Sequence, residues 1–317
     1  MLKETVVSIF RGAYASLLLG AVLAVRPAGS IADEQRAIPE DNLAYPVLIM
    51  WENGSTGSGF YVNTGTGVYL VTAKHVLFDE RTHNLPECGF DPITQKALVC
   101  WVRLLSYSKD PEDQTRDLLR LDLSVLQKNG DVKAHPSRDV AAVRLFSVTK
   151  PADSPPAPGS AQGPAPPRRI LSLPGVTVES MAKDGILGVD IGSIKPFNRV
   201  LVGNDVVLFG YPTSLGLKQT PQLDPRRPLL RKGIVAGTDP SNESIVLDCP
   251  VYFGNSGGPV LELDRVGFMT HLVIIGVVSQ YVPFVEVGGS NTVAMQVMAN
   301  SGYSIATPMD FVLELIK

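Results

Sequence analysis

The stretch Gly254-Asn255-Ser256-Gly257-Gly258-Pro259 constrains this chain more than any other. Its glycines permit a sharp backbone that is in part positive in φ, so the segment reads as a tight turn. Such a turn exposes the Ser256 hydroxyl while aiming the amide N–H groups of Gly254 and Ser256 into one small space. Two convergent donors beside a nucleophile are what acyl transfer needs, because negative charge develops on the carbonyl oxygen in the transition state. Taken alone, the same string also reads as an ordinary surface turn.

A serine hydroxyl is a poor nucleophile without a base. Thr72-Ala73-Lys74-His75-Val76 supplies one at the end of the apolar run Val68-Tyr69-Leu70-Val71, and Asp139-Val140-Ala141-Ala142-Val143 places a carboxylate at the entry to another. Imidazole takes and returns a proton near neutral pH, and a carboxylate behind it holds the tautomer and stabilises the imidazolium. Ser256 is then the nucleophile, His75 the general base and acid, Asp139 the orienting group, and the Gly254 and Ser256 amides the oxyanion hole. Asp79 and Asp122 are fallback acids, but neither opens an apolar strand as Asp139 does. No motif surrounds His83, His135 or His271, and surface or packing roles are expected of them.

TAKHV, DVAAV and GNSGGP, in that order, resemble the three active-site signatures of the chymotrypsin-like (trypsin-like) serine peptidases, and most of all the bacterial HtrA/Deg-type protease domain. The intervals leave room for one barrel around His75 and Asp139 and a second around Ser256. The resemblance therefore implies an all-β fold of two antiparallel six-stranded β-barrels, a chymotrypsin-like double barrel, with a short C-terminal helix. It implies a serine endopeptidase acting on polypeptide substrates. The Gly57-Ser58-Gly59-Phe60 segment before the histidine is typical of HtrA-like domains. Asn255 stands where pancreatic-type enzymes carry an aspartate that pairs with a new N-terminus, so no activation by N-terminal insertion is expected. No PDZ domain is expected after the C-terminal helix.

The substrate pocket implied by the resemblance is built from Pro250 and Val251 before the turn and from Ser279, Gln280 and Tyr281 on the facing strand. Asp248 lies eight residues before Ser256, whereas the pocket-floor acid of Arg/Lys-specific enzymes lies six before, where this chain has Pro250. Uncharged, small or medium apolar side chains are the expected specificity. A binding module on a silent protease fold usually lacks a triad residue, and none is missing here. An esterase on an α/β-hydrolase scaffold would show a GxSxG elbow with its histidine last, the opposite order.

Lys3 and Arg11 precede an apolar run over residues 13–25, and Ser30-Ile31-Ala32 offers small residues for cleavage. This reads as an export signal over residues 1–32, with a retained anchor as the rival reading. The protein is expected in the periplasm or secreted. Residues 33–150 are read as the first barrel, 151–199 as a Pro-rich insertion or linker, and 200–317 as the second barrel. Strands are expected at 44–51, 57–62, 68–72, 100–105, 119–126, 139–145, 233–237, 244–247, 258–263, 272–279 and 303–308, with the stretch 200–212 opening the second barrel and a helix at Met309–Ile316.

A formal charge of −3 gives no reason to expect nucleic acid or an anionic membrane as partner. Cys88 and Cys100 bracket a short loop and could pair in an oxidising compartment, while Cys249 reads as a small buried hydrophobe. Neither CxxC nor HxxxH spacing occurs, and no metal or cofactor is expected.

Overall fold

The computed structural model describes residue 38 and residues 40–90, 93, 97–108, 115–149, 169–183, 185–213, 220–266, 269–290 and 293–317. Residues 1–32, read from sequence as an export signal, and the Pro-rich stretch at 151–167 lie outside the described residues. Short apolar segments bounded by turn residues fold as strands. In the first half these are β1 Pro46–Trp51, β2 Thr56–Asn63 and β3 Gly67–Thr72, then the one-turn helix α1 Lys74–Leu77. β4 Glu87–Phe90 and β5 Ala97–Val99 form a separate hairpin, followed by β6 Val102–Tyr107 and β7 Arg116–Leu121. Next come α2 Leu123–Lys128, β8 Val132–Ala134, β9 Ala141–Thr149, β10 Arg169–Ser172, β11 Val176–Ser180 and β12 Gly188–Asp190.

The second half holds β13 Asp205–Gly210, β14 Leu229–Asp239, β15 Ser244–Asp248, β16 Pro259–Val266, β17 Met269–Ser290 and β18 Val293–Pro308, then the C-terminal helix α3 Met309–Ile316. The fold is the expected double-barrel class, two curled sheets and a short final helix. β13-β14-β15-β18-β17-β16 close into a six-stranded antiparallel barrel. The first sheet is wider than six strands. It runs β10-β9-β3-β2-β1-β6-β7-β11, with β8 on β9 and β12 parallel to β2, ten strands in all. β10, β11 and β12 come from the segment read from sequence as an insertion or linker, and they extend the first sheet.

Two further differences have local causes. The apolar segment 119–126 splits, because the Asp122 side chain accepts the Ser124 and Val125 N–H groups, each at 3.1 Å, and so caps α2. β17 and β18 run well past the barrel as a hairpin paired from Pro283↔Asn300 to Ser290↔Val293, far longer than the strands expected at 272–279 and 303–308.

The central strands are apolar on both faces because each face has a core to fill. Tyr61 and Leu70 point into the first sheet's own core with Val47, Ile49, Leu104 and Leu119. Phe60, Val62, Val71 and Val140 point the other way, onto Ile274 and Val277 of β17 and onto Met309, Phe311, Val312, Leu315 and Ile316 of α3. α3 thus buries one face against both halves. Each such large apolar side chain contributes about 1.5–3 kcal/mol when fully buried. Packing fixes how the His75 and Asp139 segments face the Ser256 turn.

Candidate functional site

His75 sits on α1, just past the end of β3. The helix is held from below by Trp51, whose indole Nε1 donates to the Val76 carbonyl at 2.8 Å. Asp139 grips it twice, accepting the His75 backbone N–H on Oδ1 at 3.0 Å and the ring Nδ1 on Oδ2 at 2.7 Å. A carboxylate can only accept, so Nδ1 carries the proton and Nε2 is left as the free base. The two side chains are about one-third exposed, 29% and 32%. Burial pulls the His75 pKa down, but the Asp139 hydrogen bond and charge, with the Glu80 charge beyond, outweigh it and the ring titrates above its ordinary value.

The Ser256 turn is held across the two halves of the protein by Ser58 of β2, which is fully buried. The Ser58 N–H donates to the Ser256 carbonyl at 2.9 Å. Its hydroxyl donates to the Gly254 carbonyl at 2.6 Å and accepts the Tyr211 N–H at 2.9 Å. Its carbonyl accepts the Thr72 hydroxyl at 2.7 Å. Every polar atom of Ser58 is therefore engaged. The turn needs glycine at two places for space as well as dihedral: Gly254 at φ +95° and Gly257 at φ +86°. A side chain on Gly254 would strike the Tyr211 carbonyl, and one on Gly257 the Ser58 carbonyl and the Thr72 hydroxyl.

Asn255, 1% exposed, closes the turn on itself: its Oδ1 accepts the Tyr252 N–H at 3.0 Å and its N–H donates to the Tyr252 carbonyl at 2.9 Å. The Phe253 carbonyl accepts the Thr213 N–H at 2.7 Å. Among the described residues the N–H groups of Gly254 and Ser256 make no hydrogen bond, and both residues line a recess of about 320 Å³ with His75, Thr213 and Phe253. Among the same residues Ser256 Oγ makes no hydrogen bond to His75.

His75, Asp139 and Ser256 also line one cleft of about 530 Å³, and the structure brings Val251, Ser279, Gln280 and Tyr281 to the same cleft. Pro250 does not line it. The Cys249 carbonyl is held by the Ser304 hydroxyl at 2.8 Å and the Val251 carbonyl by Asn300 Nδ2 at 2.6 Å, so the residue that reaches the cleft from this segment is Val251. The Ser279 hydroxyl is spent on the Ile305 carbonyl at 3.1 Å. Asp248 does not line the cleft, and the wall formed by Val251, Tyr252, Phe253, Ser279, Gln280 and Tyr281 carries no charge. The charged lining, Lys74, Asp79, Glu80 and Arg138, comes from segments around His75 and Asp139. Cys100 is disulfide-bonded, while the Cys88 side chain lies outside the described residues. Cys249 is free and buried, and burial pushes its thiol up, away from reactive thiolate.

The sequence pattern of the trypsin-like peptidase domain matches residues 57–266, a span that holds His75, Asp139 and Ser256. The chain belongs to the trypsin-like peptidase family. No curated protein matches it. Among solved structures it is similar to Deg5, at 18% identity and TM-score 0.44, covering 87% of this chain and 88% of that one. It is similar also to the HtrA-type protease AlgW with tripeptide, at 13% and 0.42, covering 86% and 59%. A third is the thermostable serine protease AL20 from an extremophilic microorganism, at 11% and 0.44, covering 87% and 96%.

Sequence reasoning about this peptidase-family chain missed Phe253, 70% exposed and edge-on to Tyr281 at 5.8 Å. Its place directly before the glycine turn was the available signal. It missed Thr213 and Ser58 as supports of the turn, because their partners lie 40 and 196 residues away in the chain. The fallback acids have other work: Asp122 caps α2, and Asp79 accepts the Arg81 and Thr82 N–H groups at 2.9 and 2.8 Å. Among the described residues no group of three or more His, Cys, Asp or Glu side chains is placed to hold a metal ion. An NMR titration of the His75 imidazole is expected to give a midpoint above the ordinary histidine value. Asp139→Asn, which removes the charge that raises it, is expected to move that midpoint down.

Proposed function

We propose that the chain is an exported serine endopeptidase that hydrolyses peptide bonds through Ser256, His75 and Asp139. The observation that carries this reading is the juxtaposition, in one cleft, of an Asp139-held imidazole with a free Nε2 and a serine turn whose two N–H groups are unspent. Ser256 Oγ attacks the scissile carbonyl carbon and its proton passes to His75 Nε2. The Gly254 and Ser256 amides receive the oxyanion. The imidazolium protonates the leaving amine as the C–N bond breaks, giving an acyl-enzyme. Water then attacks the ester, giving its proton to Nε2, and the Ser256 hydroxyl is restored. No cofactor enters these steps.

The uncharged wall around Val251, Phe253 and Tyr281 favours substrates with a small or medium apolar side chain before the cut bond. The disulfide at Cys100 supports work in an oxidising compartment, as the apolar N-terminal run does. Asn255 Oδ1 accepts the Tyr252 N–H within its own turn, which supports a turn held without N-terminal insertion. One observation favours a second reading, a latent enzyme or silent peptide-binding module: the Ser256 hydroxyl is not bonded to His75. Such contacts often tighten only when substrate binds.

A fluorophosphonate probe decides between the two. Labelling of the mature protein, abolished by Ser256→Ala, is the expected result; a folded protein that takes no label contradicts constitutive activity. Ser58→Ala removes the donor to the Gly254 carbonyl and is expected to lower kcat about tenfold to a hundredfold with little change in KM. Steady-state kinetics on an apolar peptide substrate check this, and an unchanged kcat would contradict the supporting role of Ser58.

A further inference from the structure

His135, 7% exposed, lies four residues before Asp139 and outside the chemistry described above. Its ring Nδ1 accepts the backbone N–H of Ser137 at 3.3 Å and of Arg138 at 3.0 Å. Its own N–H donates to the Val140 carbonyl at 2.9 Å, closing the loop that carries Asp139. The His135 carbonyl accepts Lys74 Nζ at 3.1 Å, tying that loop to the residue beside His75. On the far side of the ring, Nε2 lies 3.2 Å from Glu314 Oε2 on α3.

A carboxylate can only accept, so Nε2 holds the ring proton and Nδ1 must stay bare. A ring acceptor that takes the N–H groups two and three residues on is an imidazole version of an Asx turn. The remaining surroundings fix the ring. Phe311 stands edge-on at 5.1 Å, and Arg138 covers Phe311 at 4.8 Å while donating to the Asn242 carbonyl and Glu243. The charged groups facing this ring and its loop are Glu314 from α3, Lys74 from α1, Arg138 from the turn itself, and Lys133 of β8, whose Nζ donates to the Leu315 carbonyl at 2.9 Å.

We propose that His135 is a positioning residue for Asp139: its bare Nδ1 folds the turn that aims the carboxylate at His75. A proton on Nδ1 would set three donors against one another, with no acceptor left for the Ser137 and Arg138 N–H groups. Asp139 would lose the register that lets it hold the His75 N–H and ring together. The kinetic consequence rests on the peptidase reading; the structural one does not.

The test compares the wild type with His135→Asn, which keeps an acceptor at the Nδ1 position but cannot titrate, and His135→Ala, which keeps none. Nitrogen-15 NMR of the imidazoles is expected to show the His135 ring proton on Nε2, with Nδ1 bare. The low-field proton of the His75–Asp139 bond is expected in the wild type and His135→Asn and to be lost in His135→Ala. In kinetics, His135→Ala is expected to lower kcat about tenfold or more with KM nearly unchanged, and His135→Asn to restore it. Should His135→Ala fail to fold, His135→Gln, whose acceptor lies one bond too far out, replaces it with the same expectations. An intact low-field proton in the variant without the acceptor, a His135→Asn as impaired as His135→Ala, or the opposite tautomer would overturn the proposal. A wild type that cleaves nothing would sink the peptidase reading, and the NMR comparison would still decide the role of His135.

Discussion

The site depends on one buried serine that is not the nucleophile. Ser58 belongs to the first sheet, yet its N–H and hydroxyl hold the Ser256 and Gly254 carbonyls of the turn that enters the second barrel's β16. Pinning both carbonyls fixes the peptide planes of the turn, and the Thr213 N–H on the Phe253 carbonyl fixes the plane before them. With these carbonyls anchored, the Gly254 and Ser256 N–H groups remain uncommitted. Uncommitted amides at an open recess are donors free to meet an oxygen that develops negative charge.

The second constraint is the packing that makes this bridge possible. Two-sided apolar strands let β2, β3 and β9 pack inward on their own core and outward on β17 and α3. The His75 and Asp139 segments leave the sheet at this shared core, and α3 braces the Asp139 loop through Glu314 and Phe311. Charge is distributed unevenly around the resulting cleft: charged groups cluster near His75, while the wall past Ser256 is uncharged. Ionisable side chains and uncharged side chains thus line different parts of the cleft.

The motif residues were legible because each carries a local signature: glycines whose missing side chains face backbone, a histidine after an apolar strand, an acid before one. Val251, Ser279, Gln280 and Tyr281 were reachable through family resemblance; Pro250 lies off the cleft lining, because a one-residue difference decides which side chain faces the cleft. Asp122 shows the limit of periodicity, since its capping bonds turn an apolar run from strand to helix. The long β17–β18 hairpin carried a readable signal in Gly288-Gly289-Ser290-Asn291 between alternating apolar residues. Ser58, Thr213 and His135 were illegible as supports, because their roles come from contacts between segments far apart in the chain or from a ring standing in for an Asx side chain.

On the peptidase reading, the oxyanion site is already formed in the unliganded protein. The most direct measurement is a crystal structure of the fluorophosphonate adduct on Ser256 beside that of the free protein. The account predicts the phosphonyl oxygen about 2.7–3.1 Å from both the Gly254 and Ser256 nitrogens, with the Ser58–Gly254 and Thr213–Phe253 hydrogen bonds the same in both structures. A turn whose Phe253 carbonyl leaves the Thr213 N–H to build the site only in the adduct would contradict it.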